Sequence, residues 1–131
     1  MSGQSRESFP CREAVVFAVR GEIDIANAAR LCAGLLQATD RPECGCLVVD
    51  LSRVGFIDLS GVRALMECYR ILTREGRHMV LAEPSSPAAR ILDALDMGQT
   101  FEIYPIVETA LVHTGRQRYE EGPFTGVSGA D

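Results

Sequence analysis

Four short apolar runs along the chain predict four β-strands, because continuous stretches of β-branched and other apolar residues are typical of strands inside a parallel sheet. The runs cover residues 14–19, 46–51, 78–82 and 101–105. A short edge strand is predicted near residues 9–11. Between and after the runs, apolar residues recur every three or four positions, which predicts four helices. This alternation of strands and helices predicts an α/β domain whose helices pack on a mainly parallel sheet.

Capping residues predict where the helices begin, since Asp and Ser side chains accept hydrogen bonds from the free N–H groups of a first turn. Asp24 precedes the first helix, and either Asp58 or Ser60 precedes the second. Ser86 precedes the third helix and is followed by Pro87, a residue that is favoured at the first helical position.

The two ends of the chain differ in composition from its middle. Residues 115–131 are rich in glycine and polar residues, which predicts a disordered tail after a fourth helix over residues 106–114. Residues 1–8 are predicted to be a flexible segment. Residues 9–114 are therefore predicted to form one globular domain, and a chain of 131 residues with 47% hydrophobic residues can bury a core of that size.

Charge and composition argue against several classes of function. A formal net charge of -5 argues against nucleic-acid binding, because such proteins usually present a clustered basic face. No apolar run has the length of a membrane span or a secretory signal, so we expect a soluble cytoplasmic protein. Five scattered cysteines without a C-x-x-C motif, and two histidines, predict neither a disulfide framework nor a metal site. Cys32 and Cys68 lie on apolar helix faces and are predicted core residues.

The segment "GFIDLSGV", residues 55–62, carries the candidate chemistry. Ser60 can cap a helix, act as an enzyme nucleophile, or be a surface serine that is modified. The nucleophile is disfavoured, because the segment lacks a G-x-S-x-G elbow and has no nearby histidine to act as base. A phosphate-binding loop of the G-x-x-x-x-G-K type is absent, and the chain contains no lysine. The cap and the modification are compatible, since the exposed N–H groups of a helix N-terminus favour a phosphate, although Asp58 would repel part of its charge.

Three quoted segments carry a resemblance to a known family. "VRGEIDIANA", "VVDLSRVGFIDLSGV" and "GRHMVLAEPSSPAARIL" closely resemble, in this order, segments of STAS domains, and in particular of the bacterial anti-sigma factor antagonists. The resemblance covers residues 9–114. It implies the STAS fold, with a mixed, mainly parallel central β-sheet and about four α-helices.

The resemblance also implies a function. In such antagonists the serine that matches Ser60 is phosphorylated by the anti-sigma factor, which is itself a serine kinase with a histidine-kinase-like ATP-binding fold. The unmodified antagonist binds this kinase and so releases a sigma factor, and a serine phosphatase restores the serine. The resemblance implies no cofactor and no enzymatic activity of the antagonist itself. Leu59 departs from the family, which commonly has Ser or Thr there, and this leaves Ser60 as the only hydroxyl of the loop.

Six residues are expected to contact the partner. They are Asp24, Asp58, Leu59, Ser60, Gly61 and Arg63. The two aspartates would supply part of the docking electrostatics, and Gly61 would let the partner's backbone come close. A purely structural role of the aspartates as helix caps stays equally open, and Arg63 fits a solvent-exposed residue of the helix face better than a partner contact.

Two other functions also stay open. A STAS domain can serve as a sensor or scaffold component, or as a soluble subunit attached to a transport system. In a different class, the chain could be a small nucleotide-binding or hydrolytic α/β enzyme, and substrate turnover that depends on Ser60 would support that alternative.

Overall fold

A computed structural model of the chain describes residues 11–42, 44–112 and 114–122. Its strands and helices are β1 Cys11–Ile23, α1 Ala28–Ala38, β2 Cys44–Ile57, α2 Leu59–Arg74, β3 His78–Ala82, α3 Ser86–Ala94, β4 Ile103–Tyr104, α4 Val107–Ala110 and β5 Thr114–Gly122. One turn of 3-10 helix, Met97–Gln99, follows α3.

The five strands form one sheet in the order β4-β3-β2-β1-β5, and each of the described pairings is parallel. Helices between successive strands supply the crossover connections that parallel neighbours need. The predicted α/β class and the four α-helices are confirmed. The sheet was expected to be mixed, but within the described ranges no strand runs antiparallel to its neighbour.

The larger apolar core lies on the face of the sheet that α1, α2 and α3 cover. Leu31 and Leu35 of α1 and Leu65 of α2 are fully buried there. The opposite face has a smaller apolar cluster, which packs against α4. Cys68 is fully buried and Cys32 packs against the larger core, which confirms their prediction as core residues.

β1 and β2 extend beyond the predicted apolar runs, because the two strands pair with each other to their last residues, Ile23 and Ile57. In the second half of β2, buried residues such as Val54 alternate irregularly with exposed ones. Continuous apolarity does not mark such half-covered strand ends, so residues 52–57, which follow the predicted run, also belong to the strand. Gly21 has a φ of 90° and lies beside a register shift inside β1, rather than at a turn that ends the strand.

The predicted cap of α1 is wrong. α1 begins at Ala28 rather than directly after Asp24, whose carboxylate instead accepts a hydrogen bond from the Ala26 N–H at 2.9 Å. The buried Asn27 side chain accepts from the Asp24 N–H at 3.0 Å and donates to the Glu22 carbonyl at 2.8 Å. Asp24 and Asn27 therefore fix the turn between β1 and α1.

α3 begins one residue earlier than predicted, because Ser85 and not Ser86 is its cap. Ser85 Oγ accepts a hydrogen bond from the Ala88 N–H at 3.4 Å and donates one to the Val54 carbonyl at 2.6 Å. The cap thus also ties α3 to β2, a tertiary contact that the local sequence does not reveal.

The end of the domain differs from the prediction. The fourth helix spans only Val107–Ala110, and residues 114–122, most of which were predicted to be disordered, form β5 and pair with β1. The polar composition of this segment is typical of a chain in contact with water. Such a segment can still form an edge strand, because an edge strand needs only one neighbouring strand for its backbone hydrogen bonds. The predicted flexible residues 1–8, the first residues of the predicted edge strand and residues 123–131 lie outside the described residues.

Candidate functional site

The carboxyl ends of β1 and β2 lie side by side, which brings two of the predicted site loops together. Ile23 and Ile57 are register partners, and the Asp58 N–H donates to the Ile23 carbonyl at 3.2 Å. Asp24 and Asp58 each follow one of these partners directly. The two loops therefore meet at the carboxyl edge of the sheet, where α/β domains commonly bind ligands and partners.

Asp58 is the cap of α2, which leaves Ser60 inside the first helical turn. Asp58 Oδ1 accepts hydrogen bonds from the Ser60 N–H at 2.9 Å and the Gly61 N–H at 3.2 Å. The Val62 N–H donates to the Asp58 carbonyl at 3.1 Å. Of the two residues predicted as the cap, Asp58 is confirmed and Ser60 is not the cap. The first free amides of α2 therefore already have an acceptor.

The Ser60 hydroxyl is available for chemistry. Its side chain is half-buried, and within the part of the chain that the structure describes its Oγ has no hydrogen-bond partner. Removing or modifying this hydroxyl therefore breaks no hydrogen bond among the described residues.

The described residues supply no histidine base for Ser60. His78 is the first residue of β3, at the amino end of that strand, whereas Ser60 follows the carboxyl end of the neighbouring strand β2. His78 Nε2 lies 3.4 Å from Glu102 Oε1, and His78 Nδ1 lies 3.9 Å from Cys46 Sγ. The second histidine, His113, lies outside the described residues. This separation gives an enzymatic role of Ser60 little structural support.

Gly61 has a packing role that the sequence prediction did not include. It is buried, and a Cβ atom at this position would lie 2.6 Å from Ile57 Cγ1 and 2.8 Å from Ile23 Cγ2. Since real Cβ atoms do not approach other carbons so closely, only glycine lets α2 start directly against the ends of β1 and β2. Gly61 therefore serves the close packing of α2 on the sheet, and its expected contact with a partner's backbone stays a prediction.

Three large apolar side chains are exposed at this carboxyl edge. Ile25 is 81% exposed, and Phe56 and Leu59 are each 47% exposed. We call Ile25, Phe56 and Leu59 the apolar edge. Of these, the sequence prediction included only Leu59. The available signals were the positions of the other two residues. Ile25 is a bulky apolar residue directly after Asp24, and Phe56 is one directly before Ile57, the last residue of β2.

A groove of about 780 Å³ runs between α1 and α2 and begins at Ser60. Mostly small side chains line it, among them Ala29 and Ala33 of α1 and Ala64 of α2. Arg63, an exposed residue one turn after Ser60, also lines the groove and forms no ion pair with a described residue. The structure thus brings Ser60 and Arg63 to one surface that is largely apolar.

Cys32 is the thiol that lines this groove. Burial, and to a smaller extent the nearby Glu67 carboxylate, raises the pKa of Cys32 above its ordinary value. A raised pKa keeps the thiol protonated at neutral pH, which makes it a poor nucleophile.

Among the described residues no group of three or more His, Cys, Asp or Glu side chains could hold a metal ion. Within the same ranges, no helix combines the length and the apolar character needed to cross a bilayer.

Comparisons with known proteins agree with this geometry. Residues 8–110 match the family model described as STAS domain. An anti-sigma-F factor antagonist of Mycobacterium tuberculosis, RsfA, is 33% identical over 104 residues, which cover 77% of this chain and 80% of the relative. An anti-sigma F factor antagonist of Paenibacillus polymyxa is 26% identical over 97 residues, which cover 74% of this chain and 80% of the relative.

The solved structure of the anti-sigma factor antagonist SpoIIAA in its unphosphorylated form has the same fold. It aligns with a TM-score of 0.63 at 23% sequence identity and covers 76% of this chain and 86% of that chain. At this identity the match establishes the arrangement of strands and helices, and the role of individual residues has to be argued from their contacts.

Proposed function

This chain belongs to the STAS domain family, and we propose that it antagonises an anti-sigma factor and is switched off by phosphorylation of Ser60. The names of two relatives, one of them 33% identical, support the antagonist role. The observation that carries the switch is the unengaged Ser60 hydroxyl, which lies in the first turn of α2 where the inter-helix groove begins. The proposed partner is a serine kinase with a histidine-kinase-like ATP-binding fold, and a serine phosphatase would reverse the modification.

The apolar edge and the groove are the proposed docking surface. Ile25, Phe56 and Leu59 leave large apolar areas in water, and their burial against a partner would be favourable by roughly 25 cal/mol for each Å² removed from water. Ser60 lies directly beside Leu59, so the kinase that docks on this surface also has the acceptor hydroxyl within its contact area. Leu59 would then supply apolar contact where the family commonly has a second hydroxyl.

Phosphorylation would act on the partner rather than on the fold of this chain. A phosphoserine carries about -1.5 to -2 charges at neutral pH. The amides of Ser60 and Gly61 already donate to Asp58 Oδ1, and the amide of Val62 donates to the Asp58 carbonyl. The phosphate therefore gains little from the helix N-terminus that was expected to favour it, and Asp58 repels it. Its charge would stay at the docking surface, where a partner would have to desolvate it.

A capture experiment with two baits tests the proposed partner. Ser60→Ala keeps the unmodified state, whereas Ser60→Asp places a negative charge at the acceptor. We expect the alanine bait to retain a serine kinase of the ATP-binding type from the native extract, and the aspartate bait to retain at least about tenfold less of it. Equal retention by both baits would contradict a charge-controlled switch.

A phosphorylation assay with the purified kinase tests the acceptor. With ATP, the kinase should transfer phosphate to the wild type and to the control variant Ser86→Ala, but not to Ser60→Ala. Ser86 is a matched control because it is an exposed serine in the first turn of α3. Equal labelling of the wild type and Ser60→Ala would show that another residue is the acceptor.

A further inference from the structure

β5 presents a free edge of the sheet among the described residues. It is the last strand in the order β4-β3-β2-β1-β5 and pairs only with β1. It also lies wholly after residue 110, where the match to the family model ends. An edge strand carries a row of backbone N–H and C=O groups that can pair with another strand. The family match therefore gives this edge no role.

The charges along β5 make this strand complementary to the β5 strand of a second copy that runs antiparallel to it. Arg116 and Arg118 lie in its first half, and Glu120 and Glu121 lie in its second half. When two such strands run antiparallel, the basic half of each lies opposite the acidic half of the other. We propose that two copies of this chain associate through antiparallel pairing of their β5 edges, which joins the two sheets into one.

The register of this pairing follows from symmetry and charge. In an antiparallel pair, residues directly opposite each other project to the same face, so a two-fold axis must place one residue opposite its own copy. Arg116, Arg118, Glu120 or Glu121 on the axis would place like charges in contact, and Gln117 on the axis would set Arg116 against Arg118. These registers are disfavoured because like charges directly opposite destabilise a strand pair.

Tyr119 on the axis is the remaining choice within this stretch, and it makes each flanking pair favourable. Arg118 lies opposite Glu120 on both sides of the axis, and Gln117 lies opposite Glu121. Tyr119 lies opposite its own copy, and its side chain is 63% exposed in the single chain. Within one chain Arg118 already pairs with Glu120. The second copy would extend this pair into an alternating set of four charges on one face of the joined sheet.

Disulfide cross-linking tests the register. At the axis, the Cα atoms of Tyr119→Cys from two copies would lie about 4.5–5.5 Å apart, within the range that a disulfide spans. Gln117→Cys is the matched control, because residue 117 is exposed and belongs to the same strand. Its copy would lie four positions away along the strand, at a distance of about 14 Å. Under mild oxidation Tyr119→Cys should form covalent dimers, and Gln117→Cys and the wild type should not.

A sedimentation series over protein concentration tests the association itself. The wild type should form a concentration-dependent dimer that weakens with added salt, since part of the interface is ionic. Tyr119→Arg places like charges on the axis and should weaken the dimer by about tenfold, while its melting temperature should equal that of the wild type at concentrations where both are monomeric. Ile106→Arg, at an exposed apolar residue outside β5, should leave the dimer intact.

Three results would overturn the proposal. They are a wild type that stays monomeric at the highest concentration, a Gln117→Cys variant that cross-links as well as Tyr119→Cys, and a Tyr119→Arg variant that dimerises like the wild type. If Tyr119→Arg lowers the melting temperature, the mixture of Gln117→Cys with Glu121→Cys decides. The proposed register predicts a mixed covalent dimer from this pair of variants, and the absence of that product excludes the register.

Discussion

Replacing Asp58 with alanine should loosen the first turn of α2, because one carboxylate oxygen holds two amides of that turn. Asp58 Oδ1 accepts from the Ser60 N–H at 2.9 Å and the Gly61 N–H at 3.2 Å. Loss of a capping side chain costs about 1 kcal/mol, within a range of roughly 0.5 to 2 kcal/mol. For a domain of this size 1 kcal/mol corresponds to a decrease of about 4 °C in the melting temperature.

Thermal unfolding followed by circular dichroism measures this effect. Asp58→Asn keeps an oxygen that can accept both hydrogen bonds and removes the charge, so it should retain most of the stability that Asp58→Ala loses. Asp93→Ala, at an exposed aspartate inside α3, should change the free energy of unfolding by no more than about 0.5 kcal/mol. The reasoning fails if Asp58→Ala melts with the wild type, or if Asp58→Asn melts as low as Asp58→Ala.

The same variants separate the two roles that were open for Asp58. If it acts only as a cap, Asp58→Asn should bind the kinase and be phosphorylated at Ser60 like the wild type. If its charge also contributes to docking, Asp58→Asn should change the dissociation constant while its melting temperature stays near that of the wild type. Asp58→Ala should slow phosphorylation in either case, because the Ser60 amide loses its acceptor and the hydroxyl loses its fixed position.

Three further predictions follow from the contacts at and near the site. Gly61→Ala should lower the free energy of unfolding by about 1–3 kcal/mol in chemical denaturation, because its Cβ would overpack the isoleucines beneath α2; unchanged stability would contradict the close packing. Burial raises the pKa of Cys68 from 9.0 to about 12. The unfolded chain therefore releases this proton first, so stability should fall as the pH rises above about 9 by at most roughly 1.4 kcal/mol per pH unit, and Cys68→Ala should show a smaller fall in the same titration. Ile25→Ser should weaken kinase binding in calorimetry without lowering the melting temperature, since Ile25 is 81% exposed, and unchanged affinity would remove Ile25 from the docking surface.

The order of the central elements could be predicted from the sequence because each strand at the centre of the sheet is buried on both faces. For this reason every residue of the run at residues 46–51 except Asp50 is apolar. The second half of β2 and the whole of β5 were missed, since their hydrogen bonds are satisfied by a neighbouring strand that the local sequence does not reveal. Contacts across the fold also decided the helix starts, as the hydrogen bond from Ser85 to the Val54 carbonyl illustrates.

Ser60 was identified from its position in a loop motif, but its suitability for a switch depends on a neighbour. Had Ser60 been the cap of α2, phosphorylation would have removed a hydrogen bond to the backbone and changed the helix start. Asp58 takes that role instead, and the Ser60 hydroxyl has no described partner to lose. Ser60→Asp should therefore leave the melting temperature of the isolated domain within about 2 °C of the wild type, since surface substitutions away from structural contacts change stability by about 0.5 kcal/mol or less. A decrease as large as that of Asp58→Ala would mean that the modification acts by unfolding the start of α2 rather than by blocking a partner.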